Sequence, residues 1–212
     1  MVNVGAGAGS YEPADRRVIA IEPSEVMAAQ RSPERAAAIR ASAEALPLGD
    51  KSVDAAMSVL SLHHWDERQR AGVLEMQRVA RERVVIVTYD PEVSAAMWLM
   101  ADYLPEVAEL DSRTFPAPNQ LAEWLGGAEI HELPLAADTP DWMLGSYWAH
   151  PERVLDEGAR RATSGFARQP PAVVKRVVAA VRRDLANGSW DARYGHLRDL
   201  THFDVGLRLV VS

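Results

Sequence analysis

The stretch Val2-Asn3-Val4-Gly5-Ala6-Gly7-Ala8-Gly9 decides the fold, and the next apolar run, at 18–21, ends on Glu22. A glycine-rich turn after a strand lets backbone N–H groups approach a ligand that a Cβ atom would block. An acidic residue at the end of the next strand can accept hydrogen bonds from both hydroxyls of a ribose. Glycines of this kind more often form a generic tight turn, but their spacing to Glu22 predicts a site for a nucleoside-containing cofactor.

The composition is that of an ordinary globular protein and excludes several classes. The 212 residues are 48% hydrophobic and 25% charged, which suits one α/β domain with a sizeable core. The net charge of −7 argues against nucleic acid as a partner, and the lack of cysteine excludes disulfides and thiolate metal sites. No apolar run approaches the roughly 20 residues that span a bilayer, and no signal-peptide pattern opens the chain. We therefore predict a cytoplasmic protein without membrane contacts, and the frequent Ala, Arg, Val and Asp favour a bacterial source.

Short strands and helices alternate along the first part of the chain. The continuous apolar runs are typical of strands buried on both faces of a parallel sheet. Helical spacing appears at 25–30, where Ser24 is a plausible N-cap, and at 67–80. The predicted strands are 2–4, 18–21, a short one at 39–42, 53–60 and 84–87. This alternation predicts a parallel α/β sheet with right-handed crossovers.

The character of the chain changes after Asp90. Aromatic residues become frequent, and we predict helices at 151–166 and 171–186 and a final strand at 203–211. We treat 1–212 as a single domain with a cofactor-binding half, 1–90, and a substrate-side half, 91–212. The chain begins inside its first strand, so either an N-terminal segment that would cover the sheet edge or the pocket is missing from this sequence, or the protein works without one.

The motifs together resemble the class I S-adenosylmethionine-dependent methyltransferases, in particular the ubiquinone/menaquinone-biosynthesis branch that acts on small molecules. The resemblance is carried, in order, by residues 2–9, 18–23, 40–47, 52–58, 62–65 and 75–88. It implies a Rossmann-like, mostly parallel sheet of seven strands with an antiparallel last strand and helices on both faces. It also implies S-adenosylmethionine as cofactor.

The resemblance assigns the cofactor-binding residues by position. Gly5, Ala6 and Gly7 would line the methionine part, and Glu22 would hold both ribose hydroxyls. The remaining implied contacts are Pro23 and Met27 against the adenine, Ser42 at its exocyclic amine, the Ala43 N–H at the ring, and the Ser58 main chain near the amino group.

Four departures from the family pattern concern the cofactor site and its surroundings. Asn3, which would face the charged amino-acid end of the cofactor, stands where the family usually has a carboxylate, and Ala8 replaces a common threonine. The first crossover helix is abbreviated between Gly9 and Val18, and Pro13 limits it further. Arg81-Glu82-Arg83 replaces the usual Pro-Gly-Gly turn before the fifth strand of the family.

Fewer residues are candidates for catalysis and substrate binding than for cofactor binding. His63 follows the strand at 53–60 and is the candidate general base, although proximity to the site is its only support and a structural role is the commoner one. The histidines show no metal-ligand spacing, so no metal is predicted. Trp98, Trp142 and Trp148 could be core residues, but we interpret them as the wall of an apolar substrate pocket.

These features predict methyl transfer to an O, N or C nucleophile of a small, partly apolar molecule. The alternatives are a methyltransferase fold repurposed for a reaction such as cyclisation, and an inactive cofactor-binding partner of another protein. The sequence does not predict the oligomeric state.

Overall fold

The computed structural model describes all 212 residues. The chain forms two compact units. The first comprises Met1–Asp90, Arg113–Glu132 and Arg208–Ser212, and the second comprises Pro91–Ser112 and Leu133–Leu207. The chain first leaves the first unit after Asp90, where the sequence changes character, and then returns to that unit twice. The two later segments complete the sheet of the first unit.

Six strands form the main sheet, and two short strands form a separate one. The main-sheet strands are β1 (Val2–Val4), β2 (Ile19–Ile21), β3 (Val53–Val59), β4 (Ala80–Tyr89), β5 (Glu129–Glu132) and β8 (Leu207–Val211). Their order across the sheet is β2-β1-β3-β4-β8-β5. The second sheet pairs β6 (Leu135–Ala136) with β7 (His202–Phe203) in antiparallel orientation.

The strand directions confirm the predicted mixed sheet. β1 runs parallel to β2 and β3, and β3 runs parallel to β4. Val84 and Ser212 exchange N–H···O=C hydrogen bonds in both directions, at 3.3 and 3.1 Å, which is the signature of an antiparallel pair. β8 is also antiparallel to β5. The last strand therefore enters between two strands that run opposite to it.

The expectation of seven strands is wrong, because the predicted strand at 39–42 is reduced to a single bridge. Ile39 pairs with Ile21 in parallel, its N–H donates to Ala20 O at 2.8 Å, and no ladder extends from it. The segment before it contains Pro33 and five consecutive exposed or half-exposed residues, 34–38, so it offers little apolar surface to bury.

Nine α-helices accompany the strands. They are α1 (Glu25–Ala29), α2 (Gln69–Val79), α3 (Pro91–Ala95), α4 (Pro105–Thr114), α5 (Pro118–Trp124), α6 (Glu157–Ala162), α7 (Ser164–Ala167), α8 (Pro171–Ala186) and α9 (Ser189–Tyr194). Short 3₁₀ turns occupy Leu62–His64, Asp66–Arg68, Leu144–Tyr147, Pro151–Leu155 and Gly195–Asp199, and a π turn spans Leu99–Tyr103. No helix combines the length and apolar character that crossing a membrane requires.

Helix α2 shows how the core of the first unit forms. Val73, Met76 and Val79 recur at helical spacing, are fully buried, and belong to the apolar cluster that includes strand residues such as Val84. The helix ends at Val79 and β4 begins at the next residue, with a register shift opposite Val53–Ala55. The missing Pro-Gly-Gly turn is thus replaced by an irregular strand start.

Three further expectations about elements are wrong in detail. The stretch from Ser10 to Val18 contains no helix, so the first crossover is a loop. The helix predicted at 151–166 is a 3₁₀ turn followed by α6 and part of α7; Asp156 caps α6 by accepting the Ala159 N–H at 2.7 Å. The strand predicted at 203–211 is divided into β7 and β8 by a turn in which Gly206 has φ +88°. Helix α8, in contrast, has the predicted bounds and begins with Pro171 in its first turn.

Candidate functional site

The glycine loop lies at the carboxyl end of β1 and is fixed to β2. The N–H groups of Gly5 and Ala6 both donate to Ile21 O, at 3.0 and 2.9 Å. Gly5 and Gly7 have φ values of +72° and +51°, in the left-handed region that favours glycine. A Cβ atom on Gly5 would lie 2.4 Å from Ser61 Oγ, so the loop also needs glycine there for close approach. A Cβ on Gly7 would meet only Met27 Cε, at 3.5 Å.

Glu22 joins the loop to the end of β2. Its Oε2 accepts the Gly7 N–H at 2.8 Å, and its Oε1 accepts the Ser24 N–H at 2.8 Å. The residue is 7% exposed. The two predicted features, the glycine turn and the acidic strand end, are therefore in direct contact.

The start of α1 follows immediately. Ser24 caps the helix by accepting the Met27 N–H at 3.3 Å, as predicted. Met27 is 38% exposed, and Pro23 is also exposed. An exposed thioether and an exposed pyrrolidine ring beside the glycine loop leave apolar surface available to a ligand.

The carboxyl end of β3 is held to β1 by serines. Ser58 and Ser61 share a hydrogen bond of 2.6 Å between their hydroxyl oxygens, and Ser61 Oγ donates to Val4 O at 3.2 Å. Both serines are buried. Between them, Leu60 adopts φ +51°, an unusual conformation for a residue with a branched apolar side chain. Ser61 was not predicted; its position is recognisable only once the strand ends are adjacent.

Ser42 and Ala43 lie in the loop that follows Ile39. Ala43 is buried and Ser42 is half-buried. The pKa of Glu44 is lowered, first by the hydrogen bond from its own backbone N–H and then by the Arg68 guanidinium and the Ser42 hydroxyl. Glu44 therefore acts as an acceptor that orders this loop.

Asn3 is part of a buried polar cluster that the sequence did not predict. Its Nδ2 donates to Glu12 Oε1 at 3.2 Å, while its Oδ1 is buried and has no hydrogen-bond partner. Glu12 also binds Arg31. Neither Glu12 nor Arg31 belongs to a recognisable motif, so no sequence signal distinguished them from surface charges.

His63 lies in the 3₁₀ turn after β3. Its ring stacks on Phe115 with centroids 4.6 Å apart and lies 3.8 Å from the ring of His64. Its role as a base stays a prediction. No group of three or more His, Cys, Asp or Glu side chains is arranged to hold a metal ion.

The three predicted substrate residues belong to the second unit. Trp98 and Trp148 are buried together, and the Trp98 indole N–H donates to Trp148 O at 2.9 Å. Trp142 lies apart at 41% exposure, with the Arg153 guanidinium 5.2 Å from its ring centre. Trp98 and Trp148 are thus packed core residues, whereas Trp142 presents an accessible indole. Their predicted contact with substrate stays a prediction.

Comparison with known proteins relates this site to a family. The family model described as a methyltransferase domain matches residues 2–88. A crystal structure of a candidate methyltransferase from an antibiotic biosynthesis pathway of Anabaena variabilis shares 32% identity with a TM-score of 0.89, over 100% of this chain and 89% of that one. No curated protein matches the chain significantly.

Two more distant structures share the fold. A S-adenosylmethionine-dependent methyltransferase from Thermotoga maritima, described as a candidate histamine N-methyltransferase, is 22% identical with a TM-score of 0.50, over 62% of this chain and 66% of that one. The [4+2]-cyclase SpnF is 20% identical with a TM-score of 0.52, over 99% of this chain and 73% of its own. Because the Anabaena protein matches over the whole chain and the family model covers the glycine loop and Glu22, the chain belongs to the class I S-adenosylmethionine-dependent methyltransferases.

Proposed function

We propose that this chain transfers the methyl group of S-adenosylmethionine to an O, N or C nucleophile of a small, partly apolar molecule. The observation that carries the proposal is the hydrogen bond between Glu22 and the Gly7 N–H, at 2.8 Å. It brings the proposed ribose acceptor and the proposed methionine cradle into one site at the carboxyl ends of β1 and β2, where ligands of open α/β sheets bind.

The residues at this site fit the cofactor. Each carboxylate oxygen has two lone pairs, and each Glu22 oxygen uses one of them on a backbone N–H. Both oxygens thus retain an acceptor position for a ribose hydroxyl. At Gly7, a Cβ atom would meet nothing closer than a methionine methyl group, so the glycine leaves open space rather than relieving a clash.

The adenine would lie between α1 and the loop after Ile39. Met27 and Pro23 offer apolar surface on one side, and Ser42 and the Ala43 backbone offer polar groups on the other. Ser58 would present its main chain to the amino end, since its side chain is engaged with Ser61.

The bound cofactor supplies an electrophilic methyl group on a sulfonium. The work of the chain is mainly positional, because methyl and nucleophile must be collinear and near contact distance. His63 would remove a proton where the nucleophile arrives protonated. Of the three predicted tryptophans, only Trp142 has an accessible indole, and it would offer apolar surface to the substrate.

The proposal of a small acceptor rests on charge and on the Anabaena protein. The net charge of −7 disfavours a polyanionic acceptor. The Anabaena protein is described as belonging to an antibiotic biosynthesis pathway, which supports a small specialised molecule as the substrate here.

Two measurements test the proposal. Isothermal titration with S-adenosylmethionine and with S-adenosylhomocysteine should show binding at one site, and no binding of either would refute the cofactor assignment. Mass spectrometry of reactions with a panel of phenols, amines and activated carbon acids should then show a product heavier by one CH₂ unit. A product of unchanged mass but altered connectivity would instead favour the repurposed fold.

A further inference from the structure

The glycine loop lacks the crossover helix that would ordinarily support it. Residues 10–18, which connect the loop to β2, form turns and no helix. A parallel pair of strands needs a crossover connection, and that connection is usually helical. The loop must therefore be held in its conformation by other contacts.

A buried ion pair occupies this position. Arg31 Nη2 donates to both carboxylate oxygens of Glu12, at 2.9 and 2.8 Å, and the two side chains are only 4% and 3% exposed. Arg31 Nε donates to Ala36 O at 3.0 Å, so the guanidinium is engaged on several sides. Arg35 Nη1 also donates to Glu12 O, at 3.1 Å.

The pair reaches the glycine loop at two places. Arg31 Nη1 donates to Gly7 O at 3.2 Å. A Cβ atom on Gly9 would lie 2.8 Å from Arg35 Cδ and 3.1 Å from Arg31 Nη1, so the loop packs directly on both arginines. At the other end, Glu12 accepts the Asn3 amide from the strand that leads into the loop.

Gly7 is consequently held from both directions. Its N–H is bound by Glu22, and its carbonyl is bound by Arg31. The orientation of each flanking peptide plane decides which backbone groups face the ligand. A change at Arg31 would therefore alter the loop without altering any side chain that touches the cofactor.

We propose that Glu12 and Arg31 are positioning residues that replace the crossover helix and set the 5–9 loop for the amino-acid end of the cofactor. This inference rests on the proposed function for the identity of the ligand. It also explains how the chain keeps the loop ordered with Asn3 in place of a carboxylate: the negative charge sits on Glu12 and is paired with Arg31 and, at 3.5 Å, with Arg35. Asn3→Asp alone would place a second carboxylate against the first, so we expect it to weaken the loop.

The test compares two ligands that differ only at the amino-acid end. S-adenosylhomocysteine carries that end, whereas 5′-methylthioadenosine has the same nucleoside and sulfur without it. In Arg31→Lys, one ammonium cannot replace the forked donors to Glu12 and Gly7 O. We expect S-adenosylhomocysteine to bind about tenfold more weakly and 5′-methylthioadenosine to change less than about threefold.

A matched control and a second variant keep the test decisive. Arg81→Lys makes the same change in the exposed Arg81–Asp54 pair, at the opposite end of the strands, and should alter neither affinity. Glu12→Leu combined with Arg31→Met removes both charges, which buried ion pairs often tolerate without unfolding. It should reproduce the selective loss of S-adenosylhomocysteine in a folded protein.

The outcomes separate this inference from the proposed function. Unchanged S-adenosylhomocysteine affinity in both folded variants, or equal loss of both ligands, would overturn the positioning role. Amide hydrogen exchange without ligand gives an independent check: the Gly7 N–H should exchange faster in Arg31→Lys than in Arg81→Lys, and equal rates would also overturn it. If the unaltered protein binds neither ligand, the proposed function fails, but the exchange rates still test whether the Glu12–Arg31 pair holds the loop.

Discussion

Replacing Glu22 by alanine tests the centre of the proposed site. From the sequence alone, Glu22 ends a strand and faces the ligand, so we expect a loss of cofactor binding with little change in stability. The structure shows otherwise, because both carboxylate oxygens already bind backbone N–H groups at 2.8 Å in a nearly buried setting. The substitution therefore removes two charge-assisted hydrogen bonds within the protein as well as the ribose acceptor.

The magnitudes follow from these contacts. A hydrogen bond to a charged group contributes about 1.5–3 kcal/mol, and water entering the space of the lost side chain restores part of it. We expect the free energy of unfolding to fall by about 2–4 kcal/mol, which for a chain of this size lowers the Tm by roughly 5–15 °C. Loss of the ribose acceptor should weaken S-adenosylhomocysteine binding by roughly ten- to a hundredfold.

The assay combines differential scanning calorimetry with titration well below the Tm of the variant. Glu25→Ala is the control. Glu25 lies three residues away in the first turn of α1, and its exposed carboxylate makes only a long, solvent-exposed ion pair with Arg40, at 3.5 Å. It should leave both quantities nearly unchanged. A lower Tm with unaltered affinity would show that Glu22 only locks the loop, and it would refute the ribose assignment.

Four further predictions concern single positions. Gly5→Ala should destabilise the protein by more than about 1 kcal/mol in urea unfolding, because φ is +72° and the new Cβ would lie 2.4 Å from Ser61 Oγ; Gly49→Ala, where a Cβ meets no atom within 4 Å, is its control. Leu60→Gly should relieve the left-handed strain at φ +51° and cost no more than about 1 kcal/mol in the same assay, whereas Leu60→Val should cost more. Burial raises the pKa of Asp111 to about 6, partly offset by Arg168. As the pH rises from about 4 to 6, the unfolded chain releases this proton before the folded chain does, so the free energy of unfolding falls. Asp111→Asn should therefore increase the Tm at pH 7 but not at pH 3.5. Burial, followed by the hydrogen bond to Asp184, raises the pKa of Tyr103 to about 12, so stability present below pH 10 should decline between pH 10 and 12, and Tyr103→Phe should decline less over that window.

The parts of the fold that the sequence predicted are those governed by local pattern. Helix α8 has a proline at its start, valines at helical spacing and Asn187-Gly188 at its end, and its bounds agree with prediction. The glycine loop and Glu22 were recognisable because each follows one of two short strands that lie close in sequence. If those strands pair in parallel, their carboxyl ends, and so the loop and Glu22, lie side by side. Their direct contact is a consequence of that geometry.

The features that the sequence did not predict depend on contacts between distant segments. Ile39 forms a single bridge at the edge of the sheet instead of the predicted strand. Strand formation there depends on the apolar surface that the neighbouring loop can bury. Glu12 and Arg31 are charged residues in loops, and only the folded chain places them together away from water. Trp98 and Trp148 are buried by packing that sequence periodicity does not describe, and their contact with substrate stays a prediction.

The position of β8 between β4 and β5 imposes an order on folding. During synthesis, β5 is complete long before the residues of β8 leave the ribosome, and β5 pairs only with β8. Until then, β4 presents an open edge with unpaired backbone groups, a template for association with other chains. The exposed Arg81, Glu82 and Arg83 at the start of β4 place charges on that edge, which would discourage such pairing while the chain is still incomplete.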